Sequence, residues 1–200
     1  GTINFPTSLT VASGTEIRLD RTRSFSGLTV DGVVSHSPNE NTQDYTLDLT
    51  ISGDLTINAG GSIDVDGAGY GANPDPGATA GYGPGAGSGG TGSGNDPGAG
   101  GAYGGDGGDS STGLTGGASY GSTTNPVQLG SSGGNADTMG GDAGEGGGLA
   151  IIVVTGTTTI NGSITANGIA GVADPTVDGS GGGAGGGINL TTGGFEGTGS

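Results

Sequence analysis

Leu49-Thr-Ile-Ser-Gly-Asp-Leu-Thr-Ile-Asn-Ala-Gly-Gly-Ser-Ile-Asp-Val-Asp-Gly67 and Ile152-Val-Val-Thr-Gly-Thr-Thr-Thr-Ile-Asn-Gly-Ser-Ile-Thr-Ala-Asn-Gly168 are near-copies. Gly53 falls on Gly156, Ile57 on Ile160, Asn58 on Asn161, Ile63 on Ile164 and Gly67 on Gly168, with a two-residue gap before the Ser-Ile pair. Thr, Ile and Val dominate both copies, the composition that strands prefer. Each copy runs out into glycine, and a long glycine-rich excursion separates them. A strand unit that repeats while its loops change length is the signature of stacked-repeat folds, in which insertions map to one face. The expected architecture is a parallel β-solenoid that throws its loops from one corner.

Composition narrows the function. The chain has 200 residues, 54 of them glycine, and only 28% are hydrophobic. One domain with a narrow core is expected. If the glycine-rich part is ordered, backbone hydrogen bonds must hold it, because side chains cannot and glycine loses the most backbone entropy on ordering. The net charge is -16, with three arginines, no lysine and one histidine. Nucleic-acid binding needs a basic surface, so that class is excluded. An anionic membrane surface is excluded likewise, and no apolar run has the length of a transmembrane helix. The acidic balance leaves cations as charged partners, with Ca²⁺ first because carboxylates and carbonyls are its ligands. Cysteine is absent, which removes zinc–thiolate sites, thiol chemistry and disulfides.

Three regions follow along the chain. Residues 1–66 hold short alternating strands and the first repeat unit. Residues 67–148 form the glycine-rich lobe. Residues 149–200 hold the second unit, a shorter glycine-rich loop and the start of a third unit. Within the lobe, Gly81, Gly83, Gly85 and Gly87 recur every second residue, whereas Gly98, Gly101, Gly104 and Gly107 recur every third. A period of three suits a polyproline-II-type helix. No stretch shows helical periodicity. The chain opens on Gly-Thr-Ile and stops midway through what would be a third unit, and on that basis a processed piece of a longer exported chain is expected.

The motif L-T-[IV]-x-G-x-[LT]-T-[IV]-[ND]…S-I-x-[VA]-[DN]-G, followed by Gly-rich runs and G-G-G-x-[AI]-x-[LI], resembles the repeats of large bacterial and archaeal cell-surface, adhesin-like proteins. The resemblance covers roughly residues 47–200. It implies right-handed parallel β-helix character and an extracellular or cell-surface location. The long glycine-rich segments are also similar to phage tail-fibre adhesins built on polyglycine-II bundles. The expected fold is therefore an all-β, short right-handed parallel β-solenoid with a long glycine-rich insertion, with a β-sandwich or jelly roll as the alternative.

Several residues stand out as candidate sites. Gly104-Gly-Asp-Gly-Gly-Asp109 matches the first six positions of a calcium-binding nonapeptide, which makes Asp106 and Asp109 candidate Ca²⁺ ligands. Asp64 and Asp66, two apart on a strand, share a face. Asp137, Asp142 and Glu145 form a third acidic group. Asn58 and Asn161 recur in register and suit a stacked structural ladder in a turn. Asn161-Gly-Ser163 and Asn189-Leu-Thr191 fit the N-glycosylation pattern. Tyr70, Tyr82, Tyr103 and Tyr120 punctuate the lobe, where rings among glycines can contact sugars or partner proteins or pin the lobe to itself. Thr157 and Thr159 form a T-x-T pair too isolated for ice binding. Catalysis has no selected constellation: His36 stands alone in a polar loop, and Arg18, Arg21 and Arg23 cluster on one strand edge.

The expected function is structural and non-enzymatic: a surface filament or adhesive fibre whose subunits join head to tail with copies of themselves. The alternative is an adhesin tip that binds glycans or receptors through the tyrosine-bearing lobe.

Overall fold

The computed structural model describes residues 7–75, 77–91, 96–136, 143–172 and 179–200. Eleven strands follow in order: β1 (Ser8–Val11), β2 (Glu16–Arg18), β3 (Arg23–Phe25), β4 (Gly27–Val30), β5 (Val33–Ser35), β6 (Leu47–Ile51), β7 (Leu55–Ile57), β8 (Ser62–Asp64), β9 (Leu149–Ile160), β10 (Ser163–Thr165) and β11 (Gly187–Gly197). Among the described residues there is no helix.

Every ladder is parallel. Strands pair with the strand three places on rather than with their sequence neighbour: β1 with β4 with β7, β2 with β5 with β8, and β3 with β6. β9 runs 12 residues and pairs with β6 through its first half and β7 through its second. It thereby joins two ladders into one seven-stranded, nearly closed, barrel-like sheet, with β11 along the far side of β9. A second sheet has the order β10-β8-β5-β2.

These pairings correct the expected fold. A right-handed solenoid with a separate insertion would keep its ladders apart on short, equivalent rungs. Here β9 and the 11-residue β11 run through the bend and merge two of them. In the earlier layer Ser52-Gly-Asp54 interrupts the chain between β6 and β7. In β9 the strand continues through Gly156, where a Cβ would strike Gly53 and Asp54. The sandwich or jelly-roll alternative fails too, because those folds are built from antiparallel pairs. The architecture is a parallel β-fold of two sheets.

The core lies between the sheets. Alternate strand residues point inward, and apart from Thr158 the fully buried ones are aliphatic, among them Leu28, Val30, Val34, Leu47, Leu49, Ile51, Leu55, Ile57, Ile63 and Ile152. One buried face per sheet gives the alternation of buried and more exposed positions along β4, β6, β7 and β8.

The connections that leave the second sheet toward the β3–β6–β9 ladder are residues 19–22, 36–46, 65–148 and 166–186. The Gly67 amide donates to Asn167 O at 2.9 Å, so the two longest leave side by side. Leu149 pairs with Gly187, so they also return side by side.

Inside this lobe, backbone amides bond between segments in steps of three. Gly98 and Gly101 donate to Gly179 and Gly182, and Gly144 and Gly147 to Gly181 and Ala184. Gly134 and Ser131 donate to Ala99 and Ala102, and Gly183 and Gly186 to Ile169 and Ala166, each pair with the partner running backward. A β-ladder would advance by two. Three is the period of polyproline-II-type chains, which form no hydrogen bonds of their own and leave every amide for a neighbour. The segments lie so close that a Cβ on Gly98, Gly117, Gly146, Gly181 or Gly186 would come within 3.0 Å of neighbouring backbone. Ala99, Ala102, Leu129, Ser131, Ser132 and Ala136 are among the side chains buried between them. Each bond contributes about 1 kcal/mol net, comparable to the ~0.5–1 kcal/mol that ordering a glycine costs relative to alanine, so the lobe holds only as a fully bonded set.

Gly98→Ala or Gly181→Ala is expected to destabilise the protein by about 2 kcal/mol, the scale of overpacking a filled interior. Gly105→Ala, whose Cβ would meet nothing within 4 Å, is expected to stay within about 0.5 kcal/mol of the parent. Chemical denaturation of the three variants checks this, and equal effects at the crowded and open positions would refute the close packing.

Candidate functional site

The corner where the lobe joins the sheets is held by two buried side chains. His36 follows β5 and is 2% exposed. Its Nδ1 lies 2.8 Å from Ser37 O, and its Nε2 lies 3.1 Å from the Leu149 amide. A carbonyl takes a proton and an amide gives one, so the ring is neutral with its proton on Nδ1. Burial pushes its pKa down, against the Ser37 carbonyl and the Asp20 carboxylate, which favour the charged form. Asp20 is itself bonded to the Ser37 amide and hydroxyl at 2.7 and 3.1 Å. Asn39 is 3% exposed. Its Nδ2 donates to Tyr45 O and Ala68 O at 3.0 and 2.9 Å, and its Oδ1 accepts from the Asp44 and Tyr45 amides, both at 2.8 Å. His36 thus fastens the lobe's return and Asn39 its departure. A lone histidine in a polar loop carries no signal of this role in the sequence, because its partner is a backbone amide 113 residues away.

The four lobe tyrosines divide. Tyr103 and Tyr120 meet edge to face with centroids 5.2 Å apart. The Tyr120 hydroxyl donates to Leu129 O and accepts from Ser131 Oγ at 2.9 Å. Burial pushes its pKa up to about 12. Burial also raises that of Tyr103, against the Gln128 backbone. The buried Tyr103 hydroxyl makes no hydrogen bond of good geometry. Tyr70 is half-buried, and its ring lies over Gly83, where a Cβ would collide with it. These three rings pin lobe segments together. Tyr82 differs: its hydroxyl donates to Asn73 Oδ1 at 3.2 Å, and it lines a cleft of about 370 Å³ with Pro38, Glu40, Asn41, Pro74 and Glu145. That cleft lies between the 36–46 loop and the lobe.

The acidic candidates are engaged within the fold. Asp106 Oδ1 accepts from the Ser119 amide at 2.8 Å and Asp109 Oδ1 from the Gly116 amide at 2.9 Å, again in steps of three. The Ser119 amide, then its hydroxyl, hold the Asp106 carboxyl below the usual range. Asp64 accepts from the Asp66 amide at 3.0 Å and from Thr165 at 3.4 Å. Asp66 accepts from the Asn167 amide and Nδ2 at 2.6 and 2.9 Å. The first repeat therefore bonds to the second through these carboxylates. Among the described residues, no group of three or more His, Cys, Asp or Glu side chains is placed to hold a metal. Asp137 and Asp142 lie outside the described residues, and Glu145 lines the cleft.

Asn58 donates to Asp31 at 2.7 Å, while Asn161 Oδ1 lies 3.5 Å from the Thr198 hydroxyl. Each side chain reaches the layer on its own outer side rather than the other asparagine. Asn161 is exposed in a turn, and Asn189, on β11, donates to Asn125 Oδ1 at 2.8 Å.

On the outer face of the second sheet, Arg18 and Glu16 pair at 2.9 Å and Ser35 Oγ donates to Glu16 at 2.7 Å. The Arg18 guanidinium, then the Ser35 hydroxyl, hold the Glu16 carboxyl below the usual range.

No family model, no curated protein and no solved structure matches the chain.

His36 makes the corner pH-sensitive. Its pKa is lowered in the fold and stands near 6.5 when unfolded, so below about pH 6.5 the unfolded chain binds more protons. Stability then falls with falling pH until the folded pKa is passed. Thermal melts are expected to show this loss. His36→Gln is expected to cost about 2 kcal/mol at pH 7 through the Leu149 amide and to remove this part of the slope. An unchanged slope would refute the assignment.

Proposed function

We propose that the protein is a non-enzymatic structural subunit of an extracellular or cell-surface filament or adhesive fibre, joined head to tail with copies of itself. One observation carries the reading. Among the described residues, no further strand pairs with β1, β2 and β3 at one end of the core or with β11 at the other, where Ser200 O already takes the Ile164 amide on the outer edge of β10. Open edges are templates for further pairing, and unlike ends that pair without closing give filaments. The commitment of His36, Asp64, Asp66 and Tyr120 to hydrogen bonds inside the fold favours a structural role over a catalytic one. The surface location rests on the resemblance to cell-surface repeats.

A second reading has its own observation. The Tyr82 cleft combines one ring with the exposed side chains of Glu40, Asn41 and Glu145. A ring beside hydrogen-bonding side chains suits a glycan.

Light scattering and electron microscopy over a concentration series test the first reading. Long particles are expected, and a monodisperse monomer throughout rejects it. A glycan array tests the second: binding lost on Tyr82→Ala supports it, and the absence of any reproducible binding rejects it.

A further inference from the structure

The outer face of the seven-stranded sheet carries a rank of threonines. Thr10 pairs with Thr29, Thr29 with Thr56, and Thr56 with Thr159. Each stands between two inward residues of its strand: Leu9 and Val11 on β1, Leu28 and Val30 on β4, Leu55 and Ile57 on β7, Thr158 and Ile160 on β9. Side chains alternate between the faces of a sheet, so the four threonines face away from the core. Thr159 belongs to a T-x-T pair that stands alone in the sequence, and the fold makes it one member of a stack. A second rank lies elsewhere on the same sheet, where Ser24 pairs with Thr50, Thr50 with Val153, and Val153 with Thr191. All four of its members are exposed.

Threonine is common on exposed strands, and one such residue needs no explanation. Stacked threonines can also hydrogen-bond to one another. Here they do not: among the described residues, the hydroxyls of Thr10, Thr29, Thr56 and Thr159 bond to no protein group. The carboxylates two residues along from Thr29 and Thr56 are engaged. Asp31 accepts from Asn58 at 2.7 Å, and Asp54 accepts from the Thr157 amide at 2.8 Å. Glu196, exposed and paired with Thr159, takes the fifth place and ends the rank on a charge.

Parallel strands in register repeat the same atoms about every 4.8 Å. That repeat is close to the spacing of oxygens along one axis of hexagonal ice. β-Branching leaves threonine few χ1 choices, so its hydroxyl and methyl are held at the repeat before any ligand arrives, which lowers the cost of binding. The free hydroxyls can bond lattice waters, and the methyls restrict the orientation of the water beside them. Identical contacts repeated along one line suit a ligand that is itself periodic, and water has this period only as ice. We propose that this threonine face binds ice. The proposal goes beyond the filament reading and does not rest on it, because the whole rank belongs to one chain.

A seed ice crystal held in a solution of the protein and slowly cooled tests it. A faceted crystal is expected, with a gap between its melting and freezing points that widens with protein concentration. Thr56→Tyr sets a ring in the middle of the rank and is expected to abolish the gap. Tyrosine suits strands, so the unfolding temperature is expected to stay that of the parent. If Thr56→Tyr does not fold, Thr10→Tyr at the edge of the ladder decides, and it is expected to narrow the gap. Glu196→Thr lengthens the rank by one and is expected to widen the gap, which a merely structural role for these threonines would not do. Thr112→Tyr on the exposed lobe is expected to change nothing. A wild-type protein in which the crystal grows freely overturns the proposal, and so does a full response in Thr56→Tyr. If the wild type leaves ice unaffected and Thr56→Tyr disperses the long particles, a second copy occupies this face instead. An ice response from a protein that stays monomeric at every concentration overturns the filament reading alone.

Discussion

The structure depends on extended backbone segments approaching closely enough to hydrogen-bond across a space that no side chain occupies. A chain with 54 glycines and 28% hydrophobic residues cannot stabilise a lobe of this length by burying apolar surface. It satisfies amides instead, segment against segment, in steps of three. Glycine is required at these contacts for a steric reason: the position of its missing Cβ is already filled by a neighbouring carbonyl. The same constraint makes the lobe cooperative, since each segment supplies acceptors for two or more others.

The sheets and the lobe meet on different physics. The sheets bury aliphatic columns, whereas the lobe buries chiefly amides, alanines and serines, with Leu129 and Asn135 among them. Their boundary must therefore be polar and still dry. His36 and Asn39 meet that requirement, each using its side chain to close amides and carbonyls that neither sheet nor lobe can reach. A neutral imidazole serves where a charged one would not, because it can accept one hydrogen bond while donating another.

Tyr82 and the strand edges remain as surfaces whose chemistry faces outward. The other tyrosines and the repeat-bridging carboxylates are consumed by the fold. The chain's three arginines lie beside Glu16 and Asp20 around β2 and β3, while the lobe carries the cleft.

Much of this was legible in the residues. The alternation of Thr, Ile and Val in the twin segments determined strands, and their register determined which residues stack: Ile57 with Ile160 and Ile63 with Ile164. The three-residue glycine period around Gly98 and Gly101 already indicated polyproline-II-type segments. The merging of two ladders through β9 was not legible, because nothing local distinguishes a strand that bends at Gly156 from two strands with a turn at Gly53. Nor were the roles of His36 and Asn39, or the division among the tyrosines, since each depends on partners brought together from distant parts of the chain. Sequence alone determined local conformation and stacking order, because those follow from side-chain alternation and steric freedom at each residue. The tertiary structure decided which edges stay open and which side chains stay free, because both depend on what the rest of the chain has already covered.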